Sequence, residues 1–255
     1  MGIKPRVAEA EGDARRQGIA QLKESAERDP GETNWSLVTD HNGPHWEQPR
    51  TLEELVDIMD RGDSYLRVEM THTHPRRMAR RECVPPGFMD ILTLFSIKTA
   101  LGNNKGGRFT GMVVDCYGTW SYDLDLSNPF MGKLETGNLR MRMFFSKISP
   151  QIAGEVQQFA KQQGASSKLA LGFILTQNQN RLSPALYAAT AEIREYFGDL
   201  LASDKMKTLL STTETAFKTT DLADHGERER LMDIYRRNGI ILRFVPHSTM
   251  LASTQ

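Results

Sequence analysis

Phe109-Thr110-Gly111-Met112-Val113-Val114-Asp115-Cys116-Tyr117-Gly118-Thr119-Trp120-Ser121-Tyr122-Asp123-Leu124-Asp125-Leu126 is the stretch whose reading decides the fold. From Met112 onward every second residue is apolar or small: Met112, Val114, Cys116, Gly118, Trp120, Tyr122, Leu124 and Leu126. Asp115, Thr119, Ser121, Asp123 and Asp125 fall between them. A period of two is the signature of a strand with one buried face. Gly118 in mid-series suits a bulge or a change of partner. The stretch therefore reads as one long bent strand or a hairpin of two, forming the floor of the core, with its carboxylates turned outward as solvated groups.

Upstream, residues 65–74 alternate in the same way, with Leu66, Val68 and Met70 on one side and Arg67, Glu69 and Thr71 on the other. Pro85-Pro86-Gly87 breaks the chain before a helix over 88–101, whose apolar residues nearly encircle it and require burial against the sheet. Gly102-Asn103-Asn104-Lys105-Gly106-Gly107 reads as a flexible loop. It lacks the spacing and the Lys-Ser/Thr ending of a phosphate cradle. Thr51-Leu52-Glu53-Glu54 is a capping-box pattern for a helix running to Gly62, and it marks the start of the folded domain. The first 50 residues are charged and poor in large apolar groups, so they read as a loosely ordered arm or a lone solvated helix around 15–28. Trp35 and Trp46 interrupt that arm, and two such rings need something to dock on, either their own domain or a neighbour.

Downstream, Asn128-Pro129-Phe130 and Thr136-Gly137-Asn138 read as turns. Leu139, Met141, Met143 and Phe145 alternate with Arg140, Arg142, Phe144 and Ser146 as a strand with a partly basic outer face. Ser149-Pro150 opens a helix that stops at Gly164, and 168–176 reads as a compact apolar strand. The period is helical from Ser183 to about Lys218 and again from Glu227 to Asn238, before a last strand over 240–245. The expectation is an α+β fold: a twisted, mostly antiparallel sheet packed with helices, a helical C-terminal extension and a loosely ordered N-terminal arm. In domain terms, 1–50 is the arm and 51–255 a single α+β domain, with the sheet core in 51–180 and a mainly helical extension in 181–255.

At 255 residues, 39% hydrophobic and 25% charged, the composition is that of an ordinary globular protein. No apolar run is long enough to cross a bilayer, and Met1-Gly2-Ile3-Lys4-Pro5-Arg6 does not read as a signal peptide. Two cysteines, Cys83 and Cys116, make no disulfide framework and fit a reducing compartment. Net charge is zero but uneven. Residues 76–150 hold eleven Lys/Arg against six Asp/Glu, and residues 191–235 hold six against ten. Such a bipolar chain suits head-to-tail association, as does chance distribution over solvated faces.

Pro75-Arg76-Arg77-Met78-Ala79-Arg80-Arg81 is the densest basic cluster. Arg76, Arg77, Arg80 and Arg81, with Lys105, Arg108, Arg140 and Arg142, are candidates to bind anionic lipid, RNA or a nuclear import receptor. An exposed solubilising loop explains the cluster equally well. Arg236-Arg237 is a second candidate import signal. Trp35 and Trp46 are the candidate self-association residues. His72 and His74 form a His-x-His pair that, with Cys83 or Asp115, has the makings of a metal site, yet no third ligand stands at a recognised spacing, so rim or structural histidines are the expectation. No nucleophile elbow, His-Glu-x-x-His or Cys-x-x-Cys is present, and neither a catalytic residue nor a cofactor is expected.

The run Asn128-Pro129-Phe130-Met131-Gly132-Lys133-Leu134-Glu135-Thr136-Gly137-Asn138-Leu139-Arg140-Met141-Arg142-Met143 resembles the turn and long strand late in the rhabdovirus matrix protein fold. Lys168-Leu169-Ala170-Leu171-Gly172-Phe173-Ile174-Leu175 is similar to that family's later short strand, and residues 65–77 to its first strand and basic turn. The likeness spans about 64–178, and the helical region after Asn180 fits a longer, plant-infecting member. The resemblance implies a non-enzymatic structural protein of the virion that assembles with itself and links viral ribonucleoprotein to membrane. It would work in the host cytoplasm, at the membrane periphery and in the nucleus. The alternatives are an RNA-binding nucleocapsid or silencing suppressor, and a metal-dependent enzyme using His72 and His74.

Overall fold

In the computed structural model, which describes residues 3–28, 34–48, 54, 67–73, 85–106, 109–115, 117–165, 167–218 and 224–252, the 109–126 stretch is a hairpin. Along the chain run helix α1 (Ile3–Arg28), strands β1 (Asn34–Asp40), β2 (Gly43–Glu47) and β3 (Arg67–Thr73), helix α2 (Phe88–Gly106), and the hairpin strands β4 (Phe109–Val114) and β5 (Gly118–Leu124). Helices α3 (Pro129–Lys147), α4 (Pro150–Gln162), α5 (Lys168–Gln177), α6 (Pro184–Ala189), α7 (Ala191–Ala202), α8 (Asp204–Lys218) and α9 (His225–Arg237) follow. Strand β6 (Ile240–Pro246) and helix α10 (His247–Ala252) close the described chain. The strands form one sheet in the order β2-β1-β3-β4-β5-β6. Only β3 and β4 pair in parallel, across the connection that carries α2, as a parallel pair requires a long crossover. The α+β expectation, with a mostly antiparallel sheet, holds.

Both faces of this sheet bury apolar side chains, which is why the period of two understates its burial. Val38, Val68, Val113, Trp120, Tyr122 and Leu124 face α2, α3 and α5 in the main core. Met112 and Val114 face the opposite way, into a small cluster with Ile19 and Leu22 of α1 flanked by Trp35 and Trp46. Asp115 is therefore 2% exposed rather than solvated. Its carboxylate closes the hairpin by accepting from the Tyr117 N–H at 2.7 Å and the Gly118 N–H at 2.8 Å.

Four expectations need correction. Residues 34–47, assigned to the loose arm, are strands, with β1 paired on both sides, to β2 and to β3. Helix α1 is not solvated either: Ile19, Leu22 and Ala26 are buried. Residues 102–106 continue helix α2 instead of looping. The two strands read over 139–146 and 168–176 are the helices α3 and α5. Asn128 caps α3 by accepting from the Phe130 N–H, Pro129 occupies the first turn, and Phe130, Met131, Leu134, Gly137, Asn138 and Met141 form one buried helical stripe. Ser167 caps α5, which is buried on nearly all sides; in a short apolar run, period alone cannot separate that from a core strand.

The helices over 150–162, 184–218 and 225–237 stand where the periodicity put them, with Gly164 and Gly239 at positive φ after their helices. Strand β6, however, returns to pair with β5 along its length, so the C-terminal region supplies the sheet's edge as well as helices. The capping box at 51–54, save for Glu54 itself, lies outside the described residues, as do Arg76, Arg77, Arg80, Arg81, His74, Cys83, Arg108 and Cys116.

Candidate functional site

Of the candidate binding residues, Arg140 and Arg142 are fully described, and both stand on the outer face of α3. Lys105 falls in the last turn of α2. The same α3 face exposes two large apolar side chains, Leu139 at 57% and Met143 at 46%, with Lys147 beyond them. Beside it lies a groove of about 700 Å³ against α6 and α7, floored by Phe144, Ile148 and Ile193 and rimmed by Arg140, Lys147 and Glu192. Gly137 allows the close approach of α7, since a Cβ there would meet the Phe197 ring at 3.1 Å. The Arg140 guanidinium lies 4.6 Å from the centroid of the Tyr196 ring, whose hydroxyl donates to the Lys133 carbonyl at 2.7 Å. Burial pushes the Tyr196 phenol up, opposed by the Thr136 hydroxyl and the Arg140 charge. On α6 and α7 next to the groove-lining residues, Arg194 stacks 3.6 Å above the half-exposed Tyr187 ring. Basic middle and acidic late segments thus meet within one chain, where Arg140 and Glu192 line the same groove.

The tryptophans proposed for self-association are engaged at home. The Trp46 indole N–H donates to the Ala14 carbonyl at 2.9 Å and its ring lies over Gly18, where a Cβ would come within 2.1 Å. Trp35 packs on the same cluster. His72 is buried with Nε2 3.4 Å from Asp90, whose other oxygen accepts from the Gly87 N–H at 2.7 Å. Among the described residues no group of three or more His, Cys, Asp or Glu is placed to hold a metal. Arg236 and Arg237 lie on the last turn of α9 beside Asp233.

A second concavity escaped the sequence reading. Helix α1 covers only part of the sheet's second face, and its first half overhangs a cleft of about 800 Å³. Glu69 on β3, Thr110 on β4 and Asp123 on β5 lie side by side on its floor, Glu69 and Thr110 being register partners. Arg15 reaches down from α1, with Nη2 2.9 Å from Glu69 Oε2 and 3.7 Å from Glu11 Oε1. The buried Lys98 pairs with Asp123. Burial drives the Glu69 carboxyl above the usual range, the Arg15 charge opposes this, and Glu11 adds to it. Glu69 Oε1 and Arg15 Nε are both buried and lack a hydrogen-bond partner.

No family model, curated protein or solved structure matches the chain. Function therefore rests on these two surfaces. No helix among the described residues is long and apolar enough to cross a membrane. Of the two surfaces, the sequence pointed to the first through Arg140 and Arg142. The second has one sequence signal, a glutamate in the middle of an alternating strand, but the charged, apolar-poor sequence of the helix that overhangs it suggests an arm.

Proposed function

We propose that the chain is a non-enzymatic structural protein of the viral-matrix kind, which docks on an anionic surface through the outer face of α3 and associates with itself. The observation that carries this reading is the exposure of Leu139 and Met143 among Arg140, Arg142 and Lys147 on one helical face. A helix that presents apolar groups between cations gains from burying the first in an acyl boundary and from placing the second among anionic headgroups. Each cation near such a surface contributes about 1 kcal/mol. The runs that carried the matrix resemblance, 128–143 and 168–175, are helices, so the proposal stands on the chemistry of α3 and not on a shared strand order.

The exposed Tyr187 ring with Arg194 above it favours a second reading, in which RNA bases stack on Tyr187. Flotation with vesicles of phosphatidylserine and phosphatidylcholine, set against filter binding of RNA, separates the two. The protein should float with anionic vesicles and stay behind with neutral ones. Arg140→Gln with Arg142→Gln should weaken vesicle binding roughly thirtyfold, from about 2 kcal/mol lost. Leu139→Glu with Met143→Glu should abolish it without unfolding the chain. Flotation unchanged by either pair defeats the membrane reading, and RNA retention lost with Tyr187→Ala establishes the second.

A further inference from the structure

We propose that the cleft beneath the first half of α1 binds a sugar–phosphate unit, with a sugar hydroxyl at Glu69 and Arg15 and the phosphate at the arginines of the rim. Four observations lead there. The volume, about 800 Å³, falls within the range of small-molecule sites. The floor carries polar groups among its apolar ones: Thr110 stands beside the Glu69 carboxylate, and Ser121 lies two residues along β5 from Asp123. Of the Glu69–Arg15 pair, one carboxylate oxygen and the guanidinium Nε are buried and unmatched. Each such group left empty carries the desolvation penalty of an unsatisfied polar atom. A hydroxyl group donates and accepts at once, so one that enters beside the pair as the 36% exposed Arg15 side chain shifts can give its proton to Glu69 Oε1 and accept from Arg15 Nε.

Charge decides what else the ligand carries. Asp123 is held by Lys98 and Glu69 by Arg15, which also lies near Glu11. Arg67 and Arg243 line the same cleft, are exposed, and form no ion pair among the described residues. Arg67 stands two residues from Glu69 on one strand, about 7 Å along it. Arg243 lies three strands away, about 14 Å across the sheet. An anionic group a few ångströms from a hydroxyl fits the first spacing, and a chain of such units fits both. The shared chemistry is ribose phosphate, free or as part of an RNA strand. This site is independent of the α3 face.

Calorimetry on the full chain tests it, with ribose 5-phosphate, 2-deoxyribose 5-phosphate and a short oligoribonucleotide as probes. Ribose 5-phosphate should bind saturably, at least tenfold more tightly than the deoxy sugar, because a hydroxyl is what the Glu69–Arg15 pair takes. Arg67→Gln with Arg243→Gln, both at exposed positions, should weaken binding of the sugar phosphate tenfold or more. Glu69→Gln should erase the preference for ribose. Tighter binding of the oligonucleotide, lost in the same variants, identifies RNA as the source; equal or weaker binding identifies a free sugar phosphate. Absence of saturable binding by any probe at millimolar concentration overturns the proposal, as does binding that the double arginine variant leaves unchanged. Loss of vesicle flotation in the α3 variants has no bearing on this result.

Discussion

Two titratable side chains, the part-buried Glu69 and the buried His247, are expected to give the stability of this protein opposite slopes with pH. Glu69 has its carboxyl raised by burial. The folded state therefore holds its proton to higher pH than the unfolded chain does, and stability falls as pH rises from the ordinary glutamate range, about 4.3, through the raised value. His247 is the reverse. Its Nε2 lies 2.8 Å from the Asp115 carbonyl while Nδ1 is buried without a partner. Burial holds the imidazole below its ordinary value; Lys23 adds to this, while the Asp115 hydrogen bond and Glu27 oppose it. The folded state prefers neutral His247, so that contribution is complete above about pH 6.5 and is lost as pH falls below it. Urea unfolding across this range should show Glu69→Gln flattening the loss of stability on the alkaline side of its window, and His247→Gln flattening the loss on the acid side. An unchanged profile in both variants shows that neither group titrates between the folded and unfolded states.

Helix α1 shows at the scale of an element how a rigid ring defines a docking site. Gly18 faces the Trp46 indole, whereas Gly12 has nothing nearer than the Arg16 guanidinium at 3.6 Å. Alanine gains up to about 1 kcal/mol over glycine in any helix interior. At Gly18 that gain loses to overpacking, which costs about 1–3 kcal/mol. Gly12→Ala should thus stabilise the protein and Gly18→Ala destabilise it, with Trp46 fluorescence shifting to the red only in the second. A Gly18→Ala protein of unchanged emission and stability means that α1 does not dock where Trp46 holds it. The alternation over 109–126 reads as strand because Trp120, Tyr122 and Leu124 keep one face of β5 in the core, but it does not choose between one bent strand and a hairpin, and it puts on that same face Met112 and Val114, which turn to the α1 side. It hid α3 because Leu139 and Met143, though exposed, alternate with arginines and mimic a strand, while the true inward stripe at Phe130, Leu134 and Met141 runs across two apparent turns. It hid the cleft because Arg15 and Glu69, 54 residues apart, meet only when α1 lies on the sheet.

Over the whole molecule, the question is what the first 50 residues do for the rest. Read as a detachable arm, they are dispensable: a chain lacking them stays a folded monomer, and self-association is lost with Trp35 and Trp46. The sheet argues otherwise. β1 lies between β2 and β3, so removing residues 1–50 strips two strands and uncovers the backbone donors and acceptors of β3 together with Met112 and Val114. A long unpaired strand edge beside exposed apolar groups is a template for aggregation. Removing residues 1–28 alone leaves β1 and β2 in place but bares the apolar cluster of Trp35, Trp46, Met112 and Val114, a patch suited to pairing with a second copy. Light scattering should therefore rank the three proteins in a definite order: the intact chain smallest, the chain lacking residues 1–28 associating reversibly, and the chain lacking residues 1–50 aggregating outright. Moderate salt should leave both truncated species associated, because apolar contacts are not screened as exposed charges are over about 10 Å at 0.1 M. A soluble monomer on deletion of residues 1–50, with native circular dichroism, would mean that the β1–β3 pairing is not part of the stable sheet and that residues 1–50 are a detachable arm.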